Sequence, residues 1–402
     1  MKYIFVFHAN LNYSNLVLEK YDFVCRASYG RLADFFNNRY PGDKWCFEAS
    51  GFTLDYMAAH TPDVLDKLRK AQADGHCEFV GSPYGHSILT SFPHEDGVHA
   101  LRFGAETWER LFGVRPAVGW NPEGCWRSDV PEMYKETGFS AIIADYDSYI
   151  QSKTGIALPA THTHSPEQID KILSIEPGDP ALHFPSPVIP GVKAITRTDR
   201  VSIRTLKYFI GEQDFDGLIK IIDRYSVGDG YLTLFAEDAE YVGTTAWYHL
   251  KYHGLSRLFE DNPGSFDRLA VLMDALHERG ELITVSDALK TLPTLQEPLR
   301  IKDGFAWHHN RTTDWEDTPQ AIAFKPKIDK VRAAIRKAEA QAKTTADKEK
   351  VRKAWWHLVQ GENSDGIWPK PPHKPADFNI KFCDDHLNAG LALAQAVAGG
   401  AA

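Results

Sequence analysis

The chain lacks any stretch approaching the roughly 18 consecutive apolar residues that a membrane span needs, so no membrane partner is expected. Cysteine is scarce. Cys25, Cys46, Cys77, Cys125 and Cys383 are odd in number, widely spread and never arranged as CxxC. That argues against a zinc knuckle and against a disulfide framework, and fits a reducing, cytoplasmic setting. Positive charge is in deficit as well: 45 Lys and Arg face 54 Asp and Glu, a net charge of −9, which disfavours nucleic acid as a partner. The apolar run at Met1–His8 is too short for a signal peptide and has no small-residue cleavage site, so it reads as a first strand.

What is present is a rhythm of short apolar runs and longer amphipathic segments through about the first 290 residues. Candidate strands are Tyr3–Phe7, Trp45–Glu48, Glu78–Gly81, Pro116–Trp120, Ser140–Ala144, Lys193–Thr196, Tyr231–Phe235 and Leu282–Val285. Ser128 and the early Pro131 predict a helix closed by Gly138, and Ser265 predicts another that runs to Gly280. Strand, helix and strand at this spacing imply an α/β fold with a parallel sheet, and seven or eight repeats favour a barrel. Residues 150–190 hold seven prolines and several histidines, and predict an elaborated loop over one barrel face. We expect a catalytic barrel over 1–299 and a helical subdomain over 300–402, with Lys325–Lys353 as a charged helical stretch and a last helix near Asp384–Val397.

Two acidic stretches carry chemistry. Trp120-Asn-Pro-Glu-Gly-Cys-Trp126 sets Glu123 between two indoles just after a strand. Indole faces suit pyranose rings, and a carboxylate stabilises charge developing at an anomeric carbon. Glu237, Asp238 and Glu240 follow another strand as it reaches the same barrel end. Carboxylates this close oppose one another's ionisation, which keeps a general acid protonated near neutrality. Two carboxylate sites after separate strands are what glycoside hydrolysis requires.

At these residues the chain resembles glycoside hydrolase family 57. His8-Ala-Asn-Leu-Asn-Tyr13, Gly81-Ser-Pro-Tyr-Gly-His86, Trp120-Asn-Pro-Glu123 and Glu237-Asp-Ala-Glu-Tyr-Val-Gly243 are similar to its four successive motifs, and Glu362–Trp368 also has a counterpart there. The resemblance implies an incomplete (β/α)7 barrel and a retaining reaction on an oligosaccharide or polysaccharide, with Glu123 as nucleophile and Asp238 as general acid/base. The implied substrate is an α-glucan first and an α-galactoside second. His8, Asn10, His86, Trp120, Trp126, Arg197, Glu240 and Asp365 would then bind sugar, with no cofactor and no metal. Asn10, Asn12 and Ala239 depart from the family pattern. His162 and His164, two apart, raise a metal-dependent deacetylase or mannosidase-like alternative, and a catalytically silent sugar-binding protein is the other.

Overall fold

The computed structural model describes residues 1–12, 16–155, 176–245, 259–307, 311–367 and 377–399. Its strands are β1 (Lys2–Ala9), β2 (Trp45–Ala49), β3 (Cys77–Gly81), β4 (Val118–Trp120), β5 (Ala141–Asp145), β6 (Ser186–Ile189), β7 (Val192–Arg197), β8 (Tyr231–Asp238), β9 (Gly243–Thr244), β10 (Asp261–Asn262) and β11 (Glu281–Leu282). Parallel pairing runs β8-β1-β2-β3-β4-β5-β7. The lower half of β1 also pairs with β11, on the edge that its upper half gives to β2. Between β7 and β8 no ladder forms among the described residues. Side chains span the gap instead: Thr233 Oγ1 donates to the Thr196 carbonyl at 2.9 Å, and the Tyr231 hydroxyl accepts from the Thr196 N–H at 2.8 Å. The result is an incomplete (β/α)7 barrel.

Period-2 alternation divides each strand between two apolar layers. Ile4, Val6, Cys46, Val80, Val118, Ile143, Ile195 and Ala236 fill the barrel interior. Tyr3, Phe5, Phe7, Phe47, Phe79 and Leu232 face the surrounding helices. The same parity, carried one step further, sends His8, Glu48, Trp120, Asp145, Arg197 and Asp238 inward at the C-terminal end of the barrel. These residues form a polar layer directly above the apolar one, where barrel enzymes collect reactive groups.

One irregularity determines which carboxylate joins that layer. β8 pairs Thr233 with Ile4 but Phe235 with Phe5, so Leu234 is an extra residue in a β-bulge. Leu234 and Phe235 consequently both lie in the outer layer. Above the bulge the register brings Asp238, not Glu237, beside His8.

The helices used below are α1 (His94–Phe112), α2 (Val130–Glu136), α3 (Gly264–His277), α4 (Pro319–Gln341), α5 (Thr345–Gly361) and α6 (Asp377–Gly399). The last three pack on one another and, through Tyr84, Ile88, Ala100 and Phe103, on the barrel. The single stretch expected over Lys325–Lys353 is two helices, separated where Thr344 opens α5 with a capping box to Asp347. The expected helix openers act differently. Ser128 bonds Asp303 through its N–H and hydroxyl, and Ser265 joins the Gly243 N–H to the Asn262 carbonyl. Strand β6, antiparallel to β7, was not expected. All five cysteines are buried free thiols, and among the described residues no helix is long and apolar enough to cross a membrane.

Candidate active site

His8 stands at the centre of the polar layer. Its Nδ1 bonds the carboxylate of Glu48, and its Nε2 lies 4.0 Å from Asp238 Oδ1. Its ring stacks on Trp120 at 5.1 Å and 8°, and lies 5.0 Å from the ring of His86. Burial alone would push the His8 pKa down. The charge and hydrogen bond of Glu48, with the charges of Asp238 and Glu240, together outweigh burial, and the pKa rises to about 10. His86, buried beside this cation, is pushed well below the usual imidazole range.

Trp120 leads into the loop that carries Glu123. Glu123 has φ +55° and ψ 14°, a left-handed conformation rare for a residue with a side chain, and Gly124 follows at φ +58°. The loop is clamped from outside. The Trp307 N–H donates to the Glu123 carbonyl at 2.7 Å, the Trp126 N–H to the Phe305 carbonyl at 2.8 Å, and the Gly304 N–H to the Trp126 carbonyl at 3.0 Å. The Trp307 indole N–H also donates to Asp199 at 2.8 Å, tying the loop to the end of β7. Burial lifts the Glu123 pKa to about 8; Asp365 and Glu237 add to the rise, while His8 and Arg197 oppose it.

The segment after α5 completes the site. Asn363 donates to the Gly85 carbonyl at 2.6 Å, and Ser364 Oγ lies 2.8 Å from His86 Nδ1. Asn10 donates through Nδ2 to Asp365 at 3.0 Å and through its backbone N–H to Glu240 at 2.9 Å. Glu240 also accepts the Tyr29 hydroxyl. Burial, then the charge of Asp238, push the Glu240 pKa up to about 8. Arg197 pairs with Glu237, with Asp199 at 2.5 Å and with Asp145 at 3.6 Å.

The structure thus gathers Glu123, Asp238, His8, Asn10, His86, Trp120, Arg197, Glu240 and Asp365 around one end of the barrel. Trp120, Glu123 and Asp238 are only partly buried, whereas the other six are buried. Asn10, Arg197 and Glu240 have hydrogen-bond or ion-pair partners within the protein. Trp126 differs from the expectation. It is 3% exposed and belongs to the main core, so its indole underpins the loop. Sequence reasoning overlooked Glu48, Asp145 and Trp307. For the two carboxylates the signal was there: each follows an inward apolar residue by two positions at a strand's C-terminal end. His162, His164 and Trp368 lie outside the described residues. Among the described residues no group of three or more His, Cys, Asp or Glu side chains could hold a metal ion.

Residues 4–181 match the family model Glycosyl hydrolase family 57. The chain is 24% identical over 157 residues to an alpha-amylase of Pyrococcus furiosus, covering 39% of this chain and 24% of that protein. It is 23% identical over 241 residues to a 4-alpha-glucanotransferase of Thermococcus kodakarensis, covering 58% and 32%. The matched part is therefore less than two thirds of the length of these curated relatives. Among solved structures, a GH57 branching enzyme from Thermococcus kodakaraensis superposes with a TM-score of 0.72 at 14% identity, over 98% of this chain and 90% of that one. The alpha-amylase AmyC from Thermotoga maritima gives 0.68 at 12% identity, over 99% and 94%. At such identities the superpositions speak for the fold alone. Over residues 4–181 the chain is similar to glycosyl hydrolase family 57.

Proposed function

We propose that the protein is a retaining α-glycosidase or transglycosidase acting on an α-linked oligo- or polysaccharide, α-glucan first and α-galactoside second. The observation that carries this reading is the row of polar groups above the barrel core. In it Asp238 lies beside His8, His8 lies against Trp120, and Trp120 leads directly into Glu123. Relatives described as alpha-amylase and 4-alpha-glucanotransferase support the substrate class.

In this reading Glu123 attacks the anomeric carbon while Asp238 passes its proton to the glycosidic oxygen, giving a glycosyl–Glu123 ester and a free leaving group. Asp238, now a carboxylate, takes a proton from water or from a sugar hydroxyl. That oxygen attacks the ester and releases Glu123 with the original anomeric configuration. The partly exposed Trp120 offers its ring to the apolar face of the sugar. Water as acceptor makes the enzyme a hydrolase, and a sugar hydroxyl makes it a transferase.

The test is turnover of α-1,4-glucans and aryl α-glycosides, with the product anomer followed by NMR. Retention is expected. Glu123→Gln abolishes turnover of every substrate. Asp238→Asn abolishes it for glucans, yet keeps the first step on an aryl glycoside whose leaving group needs no proton. Inverted product, or near-normal glucan turnover in either variant, rules the assignment out.

A further inference from the structure

Three residues on three adjacent strands stand side by side at one level of the barrel. In the parallel registers His8 is opposite Glu48 of β2 and opposite Asp238 of β8. Glu48 is 0% exposed, and one of its oxygens bonds His8 Nδ1. The other oxygen has no hydrogen-bond partner. A carboxylate buried this deeply is costly unless a cation neutralises it, and the group bonded to it is the imidazole of His8. The ring itself has little freedom, stacked on Trp120 and flanked by His86.

We propose that Glu48 is a positioning residue for the glycosidase reaction: it holds His8 by Nδ1 as an imidazolium whose Nε2–H faces Asp238, so that the proton donor works beside a permanent cation. The inference rests on the glycosidase reading and adds to it a group that no family motif supplied. The groups facing His8 are Glu48 from β2, Asp238 from β8, Glu240 from the turn after β8, and His86 from the loop after β3. Glu123 and Glu237 also feel its charge. The acids together outweigh burial, which fits a ring charged through neutrality.

The chemistry needs no proton from His8. When Asp238 gives its proton to the glycosidic oxygen, its carboxylate appears 4.0 Å from a cation that is already in place. The proton returns to Asp238 from the attacking water or hydroxyl, and His8 keeps both of its own. The arrangement parallels a carboxylate that orients a catalytic histidine through one ring nitrogen while the other addresses the reacting group, except that here the ring stays charged.

Glu48→Gln removes the partner and lets His8 become neutral. Losing that cation raises the pKa of Asp238 and of Glu123, so both limbs of the pH–rate profile move to higher pH. The experiment is a nitrogen-15 NMR titration of the histidines in the full-length protein without substrate, with His8 identified by the signals lost in His8→Gln. Doubly protonated His8 signals, unchanged between about pH 5.5 and 8.5, are expected in the wild type; a midpoint inside that window is expected in Glu48→Gln. On an α-glucan or aryl α-glycoside, Glu48→Gln should lower kcat by about tenfold or more with KM little changed, and displace the profile upward. A wild-type His8 that titrates inside the window, or a Glu48→Gln profile that does not move, overturns the inference. Because the titration uses no substrate, an active enzyme with a titrating His8 overturns this inference and leaves the glycosidase reading standing. Absence of turnover on every substrate counts against the glycosidase reading instead.

Discussion

Glu123 combines two costs that its neighbours must offset. Its left-handed backbone costs about 1–2 kcal/mol relative to a relaxed residue, and its carboxyl is held where burial and two other acids resist ionisation. The bonds from Trp307 and Gly124's glycine character hold the backbone, while His8 and Arg197 favour the charge. A nucleophile must be ionised, so turnover should fall as pH drops below about 8, the value to which Glu123 is lifted. Asp365 is the strongest acidic contributor to that rise, and Asp365→Asn keeps an oxygen to accept from Asn10. Removing one negative charge makes Glu123 easier to ionise. The acidic limb of kcat/KM should therefore move to lower pH, by about half a unit to one unit, while the alkaline limb stays nearly fixed. A pH–rate profile of the variant checks this, and a limb that stays put or moves upward contradicts it.

Among the elements, β8 shows both how far the pattern of residues could be read and where reading stopped. Seven of the eight expected strands coincide with observed ones to within a few residues, because buried parallel strands announce themselves as short apolar runs. The eighth, expected over Leu282–Val285, is strand only at Glu281–Leu282, and Val285 instead begins a helix capped by Thr284. Hairpin β6–β7 was missed although Pro190-Gly191 marked it. Gly191 has φ +90°, as the third residue of a type II turn requires, but the cue sat in a stretch read as loop. The bulge at Leu234 had no visible cue at all, since Tyr-Leu-Thr-Leu-Phe-Ala reads as an uninterrupted strand. Which of Glu237 and Asp238 points at His8 was therefore settled by family resemblance and not by alternation. Inserting one alanine between Phe235 and Ala236 should move the register above the bulge by one residue and bring Glu237 beside His8, turning Asp238 away. Glucan turnover should drop by about 100-fold or more with far-ultraviolet circular dichroism unchanged. Preserved turnover in the insertion variant would mean that the register of β8 against β1 does not select the proton donor.

At the scale of the whole molecule the site is closed from two sides, because Ser364 and Asp365 reach it only if α4, α5 and α6 stay docked on the barrel. Beyond apolar contact, that docking depends on Arg332 of α4. The guanidinium is buried, bonding Asp96 of α1 through Nε at 2.9 and 2.7 Å and Asp329 at 2.7 Å, with Glu362 at 3.5 Å. Burial, followed by the charge of Asp96, drives Glu362 well above the usual carboxyl range, and Arg332 is the group that opposes this. None of it was legible beforehand, since a lysine- and arginine-rich amphipathic stretch reads as a solvated face and the partners are 236 and 30 residues away in the chain. Arg332→Met keeps the aliphatic bulk and deletes the cation, leaving two buried acids without a counter-charge. Breaking a buried pair in this way costs about 3–5 kcal/mol. Urea unfolding followed by tryptophan fluorescence should report that loss, either as one destabilised transition or as an early phase in which the last helices separate from the barrel. If the second pattern is seen, turnover should vanish across the early phase, because Asp365 leaves Glu123 and Ser364 leaves His86 while the barrel and its row of Glu48, His8 and Asp238 remain folded. Turnover that survives separation of these helices would show that the barrel alone holds the complete catalytic machinery.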